Sequence, residues 1–241
     1  MNENMDVFFP MAGQGARFGH QFKPFLTIGN ELFIEAALQP FRRFQSQIRR
    51  FVFVYLEAQE REFAVSSRLE SVFRDLPIVA VRLAVATRGP AETIGRALEQ
   101  LDGTVGPALV CDCDHSLDVE PMFRWLAAGQ SYDALLPVWP LEPDNLSSWS
   151  VAMVEGDRVC GVAEKRLPDV RRGTAMGIIG CYGFRDLPAV AARGMSLAAT
   201  NFSDIIADML TTGGAINAVT IERARFFGDP ARLARATAGQ S

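Results

Sequence analysis

The chain has 241 residues, of which 49% are hydrophobic and 22% charged, and its formal net charge at pH 7 is -4. This composition is typical of globular proteins and excludes the disordered and fibrous classes. The length suits one α/β domain and no linker or repeat divides it, so we expect a single domain over residues 1–241. Lysine and arginine form no long cluster, which excludes the basic surface of a nucleic-acid-binding protein.

The sequence indicates neither membrane insertion nor secretion. Its apolar stretches, such as residues 134–138, are far shorter than the ~20 residues that a membrane-spanning helix needs. The N-terminus MNENMD lacks the basic start of a signal peptide. Reduced, mostly buried thiols are expected, because neither C-x-x-C spacing nor a histidine cluster accompanies Cys111, Cys113, Cys160 and Cys181. We therefore expect a cytoplasmic protein with no membrane partner.

The first half of the chain alternates short apolar runs with longer amphipathic segments. Continuous apolar runs are typical of strands buried on both faces of a parallel sheet, which predicts strands at VFFP, FVFVYLE, IVAVRLAV and ALVCD. Helical periodicity predicts helices at LFIEAALQPFRRF, AQEREFAVSSRLESVF, AETIGRALEQL and residues 119–128.

In the second half, SVAMV and RVCGVAEK flank Glu155, Gly156 and Asp157, which predicts a hairpin. AMGIIGCYGF predicts one further strand, and the proline-rich residues 137–143 are interpreted as a surface loop. The predicted fold is α/β: a doubly wound, mixed but mostly parallel sheet in a three-layer α/β/α arrangement. Ligand loops in such folds follow the carboxyl ends of the strands.

A glycine-rich loop, PMAGQGARFGHQFKPF, follows the first predicted strand. Gly13, Gly15 and Gly19 allow backbone amides to approach phosphate oxygens closely, while Arg17 and Lys23 supply cations. The spacing fits neither the P-loop nor the dinucleotide fingerprint. We interpret the segment as a triphosphate loop, with a purely structural loop as the alternative.

Two further segments carry candidate polar groups. Gly89 precedes a predicted helix, and the positive end of the helix dipole would stabilise the charge of Glu92 in its first turn. These two residues could therefore have a structural role or contact a ligand. Asp112 and Asp114 follow a buried strand, where carboxylates are costly unless a cation or hydrogen bonds compensate. Carboxylate oxygens suit magnesium, whereas capping a turn or helix is the alternative, above all for Asp118.

Taken together, these segments resemble the sugar-phosphate nucleotidyltransferases, the NTP transferases with a glycosyltransferase-A-like fold, and are closest to their capsule-type and metabolite-type members. The family's segments G-x-G-x-R-(F/L), P-K-P, G-(T/A)-A, (N/G)-x-D, E-K-P and G-T-P-x-x-L have counterparts in the same order over residues 7–235. Phe22 and Arg166 replace prolines of the family pattern. Many family members have, just before the glycine of their G-(T/A)-A segment, a glutamine that recognises the nucleotide base. This chain has no glutamine before Gly89, so the sequence does not predict which base is bound.

The resemblance implies a role for each matched residue. The implied catalytic residues are Arg17, Lys23 and Asp114. The implied nucleotide-binding residues are Ala12, Gly13, Gly15, Ala16, Gly89 and Glu92. The implied acceptor-binding residues are Glu164, Lys165 and Gly177. The implied ligands of magnesium, for which manganese could substitute, are Asp114, Asp112 and Asp229.

The implied reaction transfers a nucleoside monophosphate from a nucleoside triphosphate to a phosphorylated small metabolite and releases pyrophosphate. The acceptor that we expect first is a sugar 1-phosphate. No nucleophilic side chain is required, which agrees with the lack of a Ser-His or Cys-His pair. Two alternatives stay open. Asp112-Cys113-Asp114 also fits the D-x-D pattern of metal-dependent glycosyltransferases that use a nucleotide-sugar, and the departures at Phe22 and Arg166 suit a catalytically silent nucleotide-binding regulator. A homo-oligomer is compatible with the sequence.

Overall fold

The computed structural model describes residues 4–13, 15–101, 105–141, 146 and 148–238. Its strands are β1 (Met5–Pro10), β2 (Thr27–Ile28), β3 (Glu31–Leu32), β4 (Ile48–Leu56), β5 (Ile78–Leu83), β6 (Ala108–Cys111), β7 (His115–Leu117), β8 (Ala134–Pro140), β9 (Ser150–Glu155), β10 (Arg158–Glu164), β11 (Thr174–Ile178), β12 (Cys181–Phe184), β13 (Ile216–Thr220) and β14 (Ala224–Phe226). Its helices are α1 (Phe33–Leu38), α2 (Glu57–Phe63), α3 (Val65–Val72), α4 (Pro90–Leu98), α5 (Glu120–Ala127), α6 (Leu187–Ser196), α7 (Phe202–Thr211) and α8 (Pro230–Thr237). The chain also forms 3-10 segments at Ala16–Phe18, Lys23–Phe25 and Gln39–Gln47.

Within the described residues, ten strands form one central sheet in the order β11-β9-β10-β13-β8-β12-β6-β1-β4-β5, and β11 also pairs with β8. Strands β6, β1, β4 and β5 are parallel neighbours, as are β13 and β8. Strand β12 runs antiparallel between β6 and β8, and β9 runs antiparallel between β11 and β10. The predicted mixed α/β sheet is confirmed.

Alternate residues of the central strands enter two different cores, which gives the three predicted layers. In β1, Val7 and Phe9 belong to the core that α1, α3 and α5 cover, whereas Phe8 belongs to the core under α4, α6 and α7. Phe53 of β4 stacks between Phe9 and Phe73, with ring centroids 5.5 and 5.4 Å away. Burying one such side chain stabilises the fold by about 1.5–3 kcal/mol.

Two predicted helices are shorter than expected. The first ends as α1 at Leu38 and continues as the 3-10 segment, because Pro40 has no N–H to donate to an α-helical hydrogen bond. The second is broken into α2 and α3 by Ala64, whose φ of +49° lies in the left-handed region. The predicted hairpin, α4 and α5 are confirmed, and Gly156 makes the hairpin turn with φ of +64°.

Two predictions about strands are wrong. AMGIIGCYGF forms two strands, β11 and β12, because the chain turns at Ile179 and Gly180 to enter a different place in the sheet. Residues 137–140 belong to strand β8 instead of a surface loop, and the O atom of Pro137 accepts a hydrogen bond from Ile179 N at 3.0 Å. Pro143 lies outside the described residues.

The carboxyl ends of β1, β4 and β6 lie at the same edge of the sheet, because these three strands are parallel neighbours. The glycine-rich loop, helix α2 and the Asp112 to Asp114 segment follow those ends in turn. No helix among the described residues combines the length and the apolar character needed to cross a membrane. All four cysteines are free, and all except Cys160 are buried.

Candidate functional site

The glycine-rich loop is shaped by Gly15. Its φ is +61°, and a Cβ built on it would lie 2.0 Å from the carbonyl oxygen of Gln21, so the position requires glycine. The Gly15 carbonyl accepts hydrogen bonds from Phe18 N at 2.9 Å and His20 N at 3.1 Å. The tight turn places Arg17 on the wall of a cleft.

Phe22, which stands where the family has proline, anchors the far end of this loop. It is buried, stacks on Phe63 of α2 with ring centroids 5.3 Å apart, and meets Phe25 edge-on at 4.9 Å. The guanidinium of Arg68 lies 3.9 Å from the centre of the Phe25 ring. The aromatic contacts fix the 3-10 turn that begins at Lys23, so this departure has a packing explanation.

Gln59 is a site residue that the sequence analysis missed. It is buried at the start of α2, and its Nε2 donates a hydrogen bond to the carbonyl of Gly13 at 3.0 Å. Its Oε1 accepts one from Leu56 N at 2.8 Å, which is the N3 half of a capping box. A glutamine three residues after a strand end gave the cap signal, but nothing local indicated that its amide group would reach Gly13.

The two carboxylates after β6 lie in spaces left by glycines from later segments. A Cβ at Gly180 would lie 2.0 Å from Asp112 Oδ2, and a Cβ at Gly228 would lie 2.5 Å from Asp114 Oδ2. The backbone holds the same pairs of segments together, with Asp112 N donating to Gly180 O at 2.7 Å and Phe227 N donating to Asp114 O at 2.9 Å. Neither glycine is among the site residues predicted from the sequence.

Lys23 and Asp114 form an ion pair, with Lys23 Nζ donating to Asp114 Oδ2 at 2.8 Å. Burial alone would lower the pKa of Lys23, but the charge and hydrogen bond of Asp114, together with the neighbouring Cys113 and Asp112, outweigh burial and raise it. Burial would raise the pKa of Asp114, but Lys23 and His115 together hold that pKa well below its usual range. Burial and the neighbouring charge of Asp114 raise the pKa of Asp112 to about 6. At neutral pH Lys23 and Asp114 are therefore both charged.

The residues present fit a hard divalent cation. Ligand atoms of Asp112, Asp114 and His115 all lie within 4.8 Å of one another, and the two carboxylates are the oxygen donors that magnesium prefers. His115 is a buried residue of β7, with Nδ1 3.4 Å from Asp114 Oδ1. Asp229 is not part of this group. Its side chain accepts from Arg232 N at 2.9 Å as the N-cap of α8, so its assignment as a metal ligand stays a prediction.

A cleft of about 270 Å³ lies between the glycine-rich loop and the carboxylates, close to the lower end of the range for small-molecule sites, roughly 300 Å³. Its lining residues are Pro10, Met11, Gly13, Gly15, Ala16, Arg17, Phe18, Lys23, Pro24, Asp112, Cys113 and Gly228. The structure thus brings together most of the residues expected at the triphosphate. Ala12, which lies between Met11 and Gly13 in the chain, is buried. Asp114 adjoins the cleft through its ion pair with Lys23.

Glu164, at the end of β10, is held by hydroxyl groups. It accepts hydrogen bonds from the hydroxyls of Ser150 and Ser203, the latter at 2.9 Å. The Nζ of Lys165 lies 3.5 Å from Glu164 Oε1, and its side chain is about half exposed. Lys165 has φ of +53°, a left-handed conformation that costs a non-glycine residue about 1–2 kcal/mol. Such strain is often stored at ligand sites.

Tyr182 of β12 is buried and stacks on Phe184, with ring centroids 6.2 Å apart. Burial raises the pKa of its phenol strongly, and the charges of Asp112 and Glu164 raise it further. The phenol therefore stays protonated over the whole range of working pH. From the sequence, Tyr182 is predicted only as part of a strand.

Gly89 and Glu92 have structural partners in this chain. A Cβ at Gly89 would lie 2.5 Å from the carbonyl oxygen of Thr200, so glycine permits this close approach of two segments. Glu92 Oε2 accepts hydrogen bonds from Arg88 Nε at 2.7 Å and Arg88 N at 3.0 Å. These contacts agree with a loop-stabilising role, and a nucleotide contact by either residue stays a prediction.

Gly177 also has a packing partner. It lies in β11, and a Cβ there would approach the ring of Trp149 to 3.1 Å. The indole of Trp149 thus packs against Gly177, whose backbone we expect to contact the acceptor. Gly177 thus has a packing role in its strand, and contact of Gly177 with an acceptor stays a prediction.

Residues 10–176 match the family model of the MobA-like NTP transferase domain. The chain belongs to this family. The match spans the glycine-rich loop, the Asp112 to Asp114 segment and Glu164, so it contains every residue that lines the cleft except Gly228. The resemblance to nucleotidyltransferases is confirmed. Membership of this family identifies the protein as a transferase enzyme.

Solved structures similar to this NTP transferase confirm the fold. A nucleoside-diphosphate-sugar pyrophosphorylase from Vibrio cholerae RC9 has 21% identity and a TM-score of 0.78, over 96% of this chain and 99% of that one. The inositol-1-phosphate CTP transferase from T. maritima has 11% identity and a TM-score of 0.74, over 100% and 99%. A UTP-bound UGPase from Acinetobacter baumannii has 14% identity and a TM-score of 0.73, over 98% and 92%. No curated protein sequence gives a match.

Proposed function

We propose that this NTP transferase transfers a nucleoside monophosphate from a nucleoside triphosphate to a phosphorylated small metabolite and releases pyrophosphate. The acceptor class that we propose is a sugar 1-phosphate. The observation that carries the proposal is the cleft itself, where Arg17 and Lys23 face the same space as the Asp112 carboxylate. Cations that bind phosphates and carboxylates that bind a metal are the two requirements for holding a triphosphate.

The acceptor class is supported by Glu164, Lys165 and the similar structures. Glu164 can accept hydrogen bonds from hydroxyls, as it does from Ser150 and Ser203, and Lys165 is exposed enough to reach a phosphate. The similar structures are named for nucleoside-diphosphate-sugars, UDP-glucose and inositol 1-phosphate. Their common chemistry is a hydroxyl-rich ring that carries a phosphate.

The chemistry requires charge neutralisation and alignment. Two unit negative charges ~4 Å apart repel by about 4 kcal/mol at an effective dielectric constant near 20. Arg17 and Lys23 would offset this repulsion as the acceptor phosphate approaches the α-phosphorus in line. Magnesium held by Asp112 and Asp114 would supply further neutralisation of the phosphate oxygens when bound. Alignment of the two substrates can contribute roughly 7–11 kcal/mol of the barrier reduction.

Several finer assignments belong to the same proposal. Magnesium is the metal that we propose, with manganese as a substitute, because the donor set is mainly carboxylate oxygen. We further propose one catalytic domain, a cytoplasmic location where triphosphates are available, and a role in making sugar nucleotides, such as precursors of capsule or other polysaccharides. A homo-oligomer remains compatible with this function.

The test is pyrophosphate release from ATP, CTP, GTP, UTP and dTTP, each with magnesium and a panel of sugar 1-phosphates. We expect release with one or two of the triphosphates, and only when an acceptor is present. Release of a nucleoside diphosphate from a nucleotide-sugar would instead support the glycosyltransferase alternative. Nucleotide binding without turnover by any pair would support the silent regulator.

A further inference from the structure

The chain contains only two lysines, Lys23 and Lys165, among its 24 lysine and arginine residues. Both belong to the proposed site. Lys23 forms its ion pair with Asp114 at 2.8 Å, with exposed side-chain fractions of 28% and 21%. Lys165 lies 3.5 Å from Glu164 and is more exposed.

Lys23 Nζ lies 2.8 Å from Oδ2 of Asp114, one of the two carboxylate oxygens that a metal could bind. Lys23 lines the cleft, whereas Asp114 adjoins it through Lys23. The other carboxylate oxygen, Oδ1, faces His115 Nδ1 at 3.4 Å. The backbone at Gly228 lies close to Oδ2 and limits movement of the carboxylate in that direction. A cation that binds Asp114 must therefore come close to the ammonium group of Lys23.

We propose that Lys23 and the divalent cation compete for Asp114, and that a triphosphate promotes metal binding by drawing Lys23 away from this carboxylate. The inference rests on the proposed function, because it takes Asp114 as a metal ligand. Two cations at one partly buried carboxylate repel each other strongly, since little water screens them. The free protein should therefore bind the metal weakly, and metal and triphosphate should promote each other's binding by the same factor.

Lysine suits this exchange better than arginine. Its ammonium is a compact point charge on a flexible stem, so it can move from a carboxylate to a phosphate. An arginine would hold a carboxylate through two parallel hydrogen bonds, as Arg49 holds Asp6 with distances of 2.8 and 2.5 Å. The alternative is that Lys23 supports metal binding by keeping Asp114 in place, and the two models predict opposite effects of removing its charge.

The experiment is a Mn²⁺ titration of the nucleotide-free protein, followed by the electron paramagnetic resonance signal of free Mn²⁺. Lys23→Gln should bind Mn²⁺ about 5- to 150-fold more tightly than the wild type, the usual range for coupled sites. Lys165→Gln is the matched control, because Lys165 pairs with Glu164, and it should match the wild type. Asp114→Asn should lose the site. Unchanged or weaker binding by Lys23→Gln, or no binding by any variant, would overturn the proposal.

A second measurement uses the unaltered protein, in case Lys23→Gln does not fold. Acetic anhydride labels lysine amines, and peptide mass spectrometry can compare Lys23 with Lys165 as an internal reference. We expect Lys23 to label slowly in the free protein, and faster when Mg²⁺ is raised to millimolar levels while Lys165 stays constant. No response of Lys23 to the metal would contradict the competition.

The outcomes also separate this inference from the proposed function. Tighter Mn²⁺ binding by Lys23→Gln in a protein that releases no pyrophosphate with any substrate pair would keep the competition and reject the proposed reaction. Pyrophosphate release by the wild type together with unchanged Mn²⁺ binding by Lys23→Gln would keep the reaction and reject the competition.

Discussion

Gly180 leaves the space that the carboxylate of Asp112 occupies. A Cβ built on Gly180 would lie 2.0 Å from Asp112 Oδ2, and Asp112 N donates a hydrogen bond to Gly180 O at 2.7 Å. Gly228 has the same relationship to Asp114, with a Cβ distance of 2.5 Å. The positions of the Asp112 and Asp114 carboxylates thus depend on glycines from later segments of the chain.

Gly180→Ala should displace the Asp112 carboxylate and lower kcat by about 100-fold, the effect typical of an ~1 Å misplacement in an active site. Pyrophosphate release measures it. Gly95→Ala in α4 is the control, because its Cβ would meet only the flexible side chain of Met195, at 3.2 Å. Full activity of Gly180→Ala would show that the reaction does not need Asp112 in this place.

Asp114→Asn should lower magnesium-dependent turnover by about 100- to 1,000-fold, the loss typical of removing one group that stabilises developing charge. Asparagine keeps the shape of the side chain but loses the charge that holds a hard cation. Asp118→Asn is the matched control. Asp118 is also ion-paired, to Arg43 and, at 2.6 Å, to Arg223, but neither arginine lines the cleft, whereas Lys23, the partner of Asp114, does. Loss of turnover in the control alone would place the metal elsewhere.

Much of the site could be predicted because its signals are local. Continuous apolar runs predicted β1, β4, β5 and β6, and the strand ends then positioned the glycine-rich loop and the carboxylates. Arg17, Lys23 and Asp112 line one cleft because the strands before them are parallel neighbours. Parallel pairing therefore brings residues that follow different strands to the same edge of the sheet.

The missed residues act through contacts between distant segments. Gly180 and Gly228 matter because of side chains far away in the sequence, and a lone glycine does not identify its neighbour. Gln59 reaches Gly13 across the start of α2 for the same reason. The break at Ala64 had no local signal either, since alanine is a good helix former and rarely adopts positive φ.

Lys165→Asn should raise the KM for the phosphorylated acceptor about tenfold while leaving the KM for the triphosphate nearly unchanged. One lost charge-assisted hydrogen bond, about 1.5–3 kcal/mol, is enough for this change. Asparagine removes the charge but tolerates the left-handed backbone of this position, with φ of +53°. Arg166→Ala, at the exposed neighbour, is the control for general charge loss. Equal changes in both KM values would place Lys165 outside the acceptor site.

Glu92 either stabilises its loop or contacts the nucleotide, and its ionisation distinguishes the two roles. The hydrogen bond from the Arg88 side chain, followed by that from the Arg88 backbone, lowers the pKa of Glu92 from 4.5 to about 2. The charged form is thus favoured in the folded state. Its contribution to stability is complete above pH 4.5 and falls away as the pH drops towards 2.

Glu92→Gln should therefore lower the free energy of unfolding by about 1 kcal/mol at pH 7, and by clearly less at pH 3. This figure is that of a single surface ion pair, because Arg88 and Arg96 are both exposed and water screens them. Urea unfolding at both pH values measures it, with Glu62→Gln as control, because Glu62 is exposed and has no ion pair among the described residues. If Glu92 only stabilises its loop, the KM for the triphosphate should stay unchanged. A raised KM with unchanged stability would instead assign Glu92 to the nucleotide.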